Sequence, residues 1–118
     1  MGVYTFRDII AWQKAHELAL CVYKVTEKFP KNELFGLISQ MRRCAISVPS
    51  NIAEGFKRGR KKDSLNFYTI AEGSLEELKY QSLLSKDLKY LTEQEFDVLY
   101  KLSEEVGKLI YGWKKKQI

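Results

Sequence analysis

Proline, glycine, cysteine and histidine are all scarce in this chain: two, seven, two and one respectively in 118 positions. No Val-, Ile- and Thr-rich alternating run bounded by turn residues occurs, so strands are not expected. With His16 as the sole histidine and no CxxC, a zinc site has nothing to be built from, and a di-iron bundle would need two Glu-x-x-His motifs. Cys21 and Cys44 fall inside apolar helical stripes and read as small buried hydrophobes rather than a disulfide. His16, near the flank of its stripe, reads as a partly buried polar residue rather than a catalytic base. No Ser or Cys has an identifiable base and orienting partner, and no Gly-rich phosphate loop follows a strand. Catalytic residues, metal and cofactors are therefore expected to be none, and the chain is not expected to be an enzyme.

Long apolar runs are missing too. None approaches the roughly 20 residues that span a bilayer. The opening MGVYTFRDII lacks a basic region followed by an apolar one, and Phe6 stands where a myristoylation motif wants Ser or Thr. The expectation is a cytoplasmic protein folding as one domain over 1–118, large enough to bury a core without staples.

What remains is helical periodicity. Ala11, Ala15, Leu18, Val22, Val25 and Phe29 recur at steps of three and four, which predicts a helix over about 7–28 with Thr5 as its cap. Pro30 ends it. Asn32 offers the next cap, with Glu33 in the first turn. Leu34, Ile38, Met41, Ala45, Val48 and Ile52 then predict a second helix over 33–56. Pro49 should kink it rather than stop it, with Ser47 and Ser50 available to the freed backbone groups. A third helix over 63–90 follows from Tyr68, Ala71, Leu75, Leu78 and Leu88. Thr92 and Glu95 form a capping box for a fourth over 93–114, with Phe96, Leu99, Val106, Ile110 and Trp113 inside. Short connections make neighbours antiparallel. The fold class is an all-α, up-down-up-down antiparallel four-helix bundle.

That topology concentrates charge. The turn between the second and third helices carries Lys57, Arg58, Arg60, Lys61 and Lys62 around Gly59, and should meet the C-terminal Lys114, Lys115 and Lys116, with Arg7 nearby. These eight cations include no acid. The other 12 face the chain's 15 acids, so the net charge of +5 belongs to one pole. Such a pole suits a polyanion held by its phosphates. No aromatics interleave with the cations, so base reading is not indicated.

The hairpin's polar residues favour packing. Counting outward from the turn sets Arg43 against Glu76, Arg42 against Glu77 and Ser47 against Glu72, with Asn51 and Glu54 near Tyr68 and Leu65. The arginines are expected to pair with those glutamates and fix register. Gly73, mid-helix at a cost of about 1 kcal/mol, implies close approach of another helix backbone.

Several ordered motifs also carry a resemblance: Phe6-Arg7-Asp8 with Trp12-Gln13-Lys14-Ala15, Gln40-x-Arg42-Arg43-x-Ala45, Val48-Pro49-x-Asn51-Ile52-Ala53-Glu54-Gly55, and Ala71-x-Gly73-Ser74-x-x-Glu77-Leu78. Together they resemble the small four-helix bundle proteins encoded in intervening sequences of bacterial large-subunit ribosomal RNA genes, often labelled ribosomal-protein-like. The accessory protein of diversity-generating retroelements is similar more distantly. The resemblance implies a bundle that assembles as a ring, commonly a homopentamer, and a suspected role with ribosomal RNA. By position, Arg42, Arg43, Asn51, Glu54, Gly73, Ser74 and Glu77 match the family's polar framework, while Cys44 sits where the family tends to have a small residue.

The aromatics Trp12, Tyr23, Phe67, Tyr80, Tyr100 and Trp113 exceed what inner faces accommodate, as at a subunit interface. The leading expectation is a non-enzymatic, oligomeric nucleic-acid-binding protein, on RNA rather than DNA, using the basic turn and tail. The alternative is a protein-interaction scaffold docking a partner on exposed aromatics. Membrane-surface binding is disfavoured because no apolar anchor accompanies the lysines.

Overall fold

The computed structural model describes residues 2–117. Four long helices, α1 (Ile10–Thr26), α2 (Ser39–Lys57), α3 (Lys61–Asp87) and α4 (Glu93–Lys116), pack in sequence and close with α4 against α1. The bundle measures 43 × 25 × 19 Å, and α2 and α3 share its most extensive contact. Most of its core is the set the periodicity selects: Ala15, Leu18 and Val22 from α1 meet Met41, Val48 and Ile52 from α2, Tyr68 and Leu78 from α3, and Leu99, Val106 and Ile110 from α4, whereas Leu34, counted in the second stripe, lies before α2 and is exposed. Each large apolar side chain removed from water there contributes about 1.5–3 kcal/mol.

Helix ends depart from the sequence expectations for local reasons. Thr5 does cap, but it caps a short 3-10 turn, Phe6–Asp8. Asp8 accepts from the Thr5 and Tyr4 N–H groups at 3.0 and 2.9 Å, and α1 proper begins only at Ile10. Asn32 is not a cap. A 3-10 turn over Lys31–Glu33 and a π-helical turn over Leu34–Ile38 follow Pro30 instead, and the Glu33 side chain accepts from the Leu37 N–H. Backbone angles leave the helical range at Gly36, whereas α2 runs on through Pro49. Ser47 does not serve the groups freed by Pro49. Its hydroxyl is 2.8 Å from that of Ser74, and Asn51 donates to its carbonyl and hydroxyl at 2.8 and 3.0 Å.

α3 starts two residues earlier than expected and stops three earlier, at Asp87. Lys89 adopts a left-handed backbone there (φ 68°), which turns Tyr90 and Leu91 back onto the core and leaves Leu88 exposed, not on the inner face. α4 opens with the Thr92–Glu95 capping box.

Candidate functional site

The turn at the α2–α3 end is the most cationic part of the surface. α2 ends at Lys57 and α3 begins at Lys61, so Arg58, Gly59 and Arg60 alone bridge two antiparallel helices. All five cations of the turn are exposed. Arg58 is occupied: its guanidinium pairs with Glu54 at 2.9 Å and lies 4.6 Å over the Phe67 ring. Lys57, Arg60, Lys61 and Lys62 make no ion pair among the described residues. Four charges thus stand within six positions without an ion-pair partner, next to Asp63 in the first turn of α3.

The C-terminal lysines are arranged differently. Lys114 is half-buried and donates to Glu72 at 2.8 Å and to the Thr69 hydroxyl at 3.2 Å. Those residues lie eight and eleven positions into α3, so α4 ends about 10 Å short of the turn at 1.5 Å per residue. Lys115 stacks on Tyr111 at 5.5 Å, and Lys116 borders the same cleft as Val3 and Asp8. Asp8 is held below the usual carboxylate range by the Thr5 and Tyr4 N–H groups and is an anion beside that tail. Arg7 is exposed, and its carbonyl accepts from Gln13. The single eight-cation cluster expected at this pole is therefore divided. The turn stands beyond a tail in which Lys114 is paired with Glu72 and Lys115 lies on the Tyr111 ring.

The polar framework is also wired otherwise than the counting predicted. Arg42 reaches α1, not α3: its Nε donates to Thr26 Oγ1 at 2.9 Å, and its guanidinium lies 4.5 Å over Tyr23. Arg43 is exposed and makes no ion pair within the described residues. Glu72 is taken by Lys114 and Glu76 by Lys79, while Glu77 is exposed. The physical reason is the register, since Ser47 meets Ser74, two positions beyond Glu72. Nor does Gly73 admit a close intrachain backbone. A Cβ there would have nothing within 4 Å. Close approach occurs at Gly55, where a Cβ would lie 2.5 Å from the Tyr68 ring and 3.1 Å from the Ser64 carbonyl.

Further up the bundle, His16 is exposed rather than partly buried, and stacks on Trp12 with rings 5.1 Å apart and nearly parallel. Cys44 is buried and Cys21 half-buried, both as free thiols, and burial pushes each thiol's pKa up. Among the described residues, no three His, Cys, Asp or Glu side chains are grouped to hold a metal ion, and no helix is long and apolar enough to cross a membrane. Sequence reasoning missed the role of Glu33 as the brace of the α1–α2 connection. Its position after Pro30 and Lys31 was the available signal.

Residues 7–112 match the model of the 23S rRNA-intervening sequence protein family. The chain belongs to that family. Among solved structures, a protein of unknown function from the S23 ribosomal protein family of Bacteroides thetaiotaomicron superposes with a TM-score of 0.80 at 24% identity, covering 90% of this chain and 99% of that one. At that identity the likeness concerns the fold, and it is the same four-helix arrangement. A comparison with curated proteins finds no match. The family match spans the turn and the Glu72 framework, but stops before Lys114.

Proposed function

We propose that this member of the 23S rRNA-intervening sequence protein family is a non-enzymatic, self-associating, cytoplasmic protein that holds structured RNA by its phosphates. The observation that carries this reading is the exposed, acid-free cluster of Lys57, Arg60, Lys61 and Lys62. Packing four unpartnered charges at one turn costs the monomer electrostatic energy, and a polyanion relieves that repulsion while releasing its own counterions. Lys115 and Lys116 extend the contact, whereas Arg58 and Lys114 serve chiefly to brace the pole. RNA is favoured over DNA because the family's name ties it to an intervening sequence of 23S rRNA. As a ring, for which the family resemblance implies five copies, the protein would repeat the turn around its axis and multiply weak contacts.

The test is a titration of nuclease-treated protein against structured ribosomal RNA and duplex DNA at several salt concentrations. Log affinity should fall linearly with log salt, and reversing Lys57, Lys61 and Lys62 to Glu should reduce the slope by about 2–3 while helicity stays the same. Unchanged affinity in that variant would remove the turn from the interface.

A second reading, a scaffold for a partner protein, has its own observation: Tyr80 and Ile70 are large apolar side chains exposed on α3, at 61% and 51%. It predicts a partner retained after nuclease treatment and lost on Tyr80→Ser.

A further inference from the structure

The connection between α1 and α2 thrusts an apolar pair into solvent. Phe35 is 91% exposed and Leu34 beside it 51%. A lone exposed apolar residue is ordinary, but this pair is held in place. Glu33 accepts from the Leu37 N–H at 3.1 Å and from the Tyr90 hydroxyl at 2.9 Å. Tyr90 in turn packs on buried Phe29, with ring centroids 5.3 Å apart, and Ile38 is buried just after the pair. The turn is thus clamped to the core on both sides of Phe35. A knob fixed in advance has little ordering entropy to lose on contact.

A receptor of matching chemistry lies on the same molecule. The valley between α1 and α2 is a groove of about 410 Å³ with Ala19, Pro49 and Ala53 as a floor of small side chains and Trp12, Leu20 and Ile46 among its walls. No Lys, Arg, Asp or Glu lines it, in a chain that is 30% charged. Leu20 and Ile46 are 60% and 45% exposed. Depletion of charge with enrichment in aromatic residues marks the core of an interface rather than ordinary surface. The groove offers no carboxylate, Lys or Arg to an ionic ligand, and its volume and mostly apolar lining suit an apolar side chain of aromatic size.

We propose that Leu34 and Phe35 of one copy seat in the α1–α2 groove of a second copy. Knob and groove reside on one chain, so each is present at the concentration of the other. Burying a phenylalanine removes about 150–250 Å² from water, which suits it as an anchor. Because knob and groove are different surfaces, each copy donates one and receives one, and the repeated contact builds a ring where the rotation closes. The inference rests on the self-association half of the proposed function and is independent of the phosphate contacts.

The test uses the full chain in analytical ultracentrifugation. Wild type should sediment as an oligomer. Phe35→Ser removes the knob, Leu20→Glu with Ile46→Glu blocks the groove, and each variant alone should fall to monomer mass with wild-type circular dichroism. Mixed in equal amounts, the two should form a dimer that grows no further, since one intact knob meets one intact groove. A monomeric wild type, a Phe35→Ser protein at wild-type mass, or a mixture that stays monomeric would each overturn the proposal. RNA titrations on the same samples keep the two readings apart. An oligomer without RNA affinity refutes only the phosphate contacts, a Phe35→Ser protein at wild-type mass refutes only the knob, and a monomeric wild type that still binds RNA refutes self-association together with the knob while the phosphate contacts stand.

Discussion

Gly73 and Gly55 both sit inside helices, and alanine at the two positions should act with opposite sign. Glycine in a helix interior costs about 0.8–1.0 kcal/mol relative to alanine, chiefly through backbone entropy. At Gly73 a new Cβ meets nothing within 4 Å, so Gly73→Ala recovers that full amount. For a chain of this length, about 1 kcal/mol corresponds to about 3–5 °C in Tm. At Gly55 the same propensity gain is opposed by a Cβ 2.5 Å from Tyr68 Cε1 and 3.1 Å from a backbone carbonyl. Tyr68 is 1% exposed and has nowhere to retreat. Overpacking of this kind costs about 1–3 kcal/mol, so Gly55→Ala should be net destabilising by up to about 2 kcal/mol. Urea unfolding followed by far-UV circular dichroism, at one protein concentration because self-association shifts the midpoint, gives both numbers. A Gly73→Ala midpoint below wild type would refute the open environment assigned to that face. A Gly55→Ala midpoint above it would refute the α2–α3 contact.

Other outcomes follow from the same geometry. Lys114→Met should cost less than about 1 kcal/mol, as for a partly screened pair, and leave RNA affinity near wild type, whereas Lys61→Glu with Lys62→Glu should weaken it severalfold in a filter-binding titration. Glu95 is held below the usual glutamate range by the Lys28 ammonium and then by the Thr92 N–H. Its folded pKa lies under its unfolded one, so its contribution is full above about pH 4.3 and disappears as pH falls through the folded value. Glu95→Gln should flatten stability against pH in that acid window, as read by urea midpoints between about pH 3 and 6. Leu78→Ala, at a position with no exposed surface, should cost about 2–5 kcal/mol in the same assay. Cys44 should resist alkylation in the native protein and react on unfolding, because its thiol is buried and its pKa raised.

Periodicity makes the architecture legible in the sequence. Apolar residues at steps of three and four leave one solution for Leu18, Val48, Leu78 and Val106, namely a shared interior, since only that arrangement removes all four stripes from water. The Thr92–Glu95 box was equally local, because both partners lie within one helical turn. The concentration of cations around Gly59 was likewise a property of adjacent positions. None of these depends on how one helix slides along another.

Register does, and there the tertiary structure decided. Ser47 of α2 meets Ser74 of α3, two residues from the expected partner, while Glu72 goes to Lys114 on α4 and Arg42 to Thr26 and Tyr23 on α1. Such a slide leaves the apolar period almost unchanged, so the pattern could not report it. The same holds for the division of the basic pole, which depends on α4 ending short of the turn, and for Phe35, which is exposed next to the backbone departure at Gly36. Sequence determined which residues face inward and where charge accumulates, because burial and chain proximity are read one helix at a time. Which charges remain free, and which apolar side chains remain uncovered, was set only when the helices met.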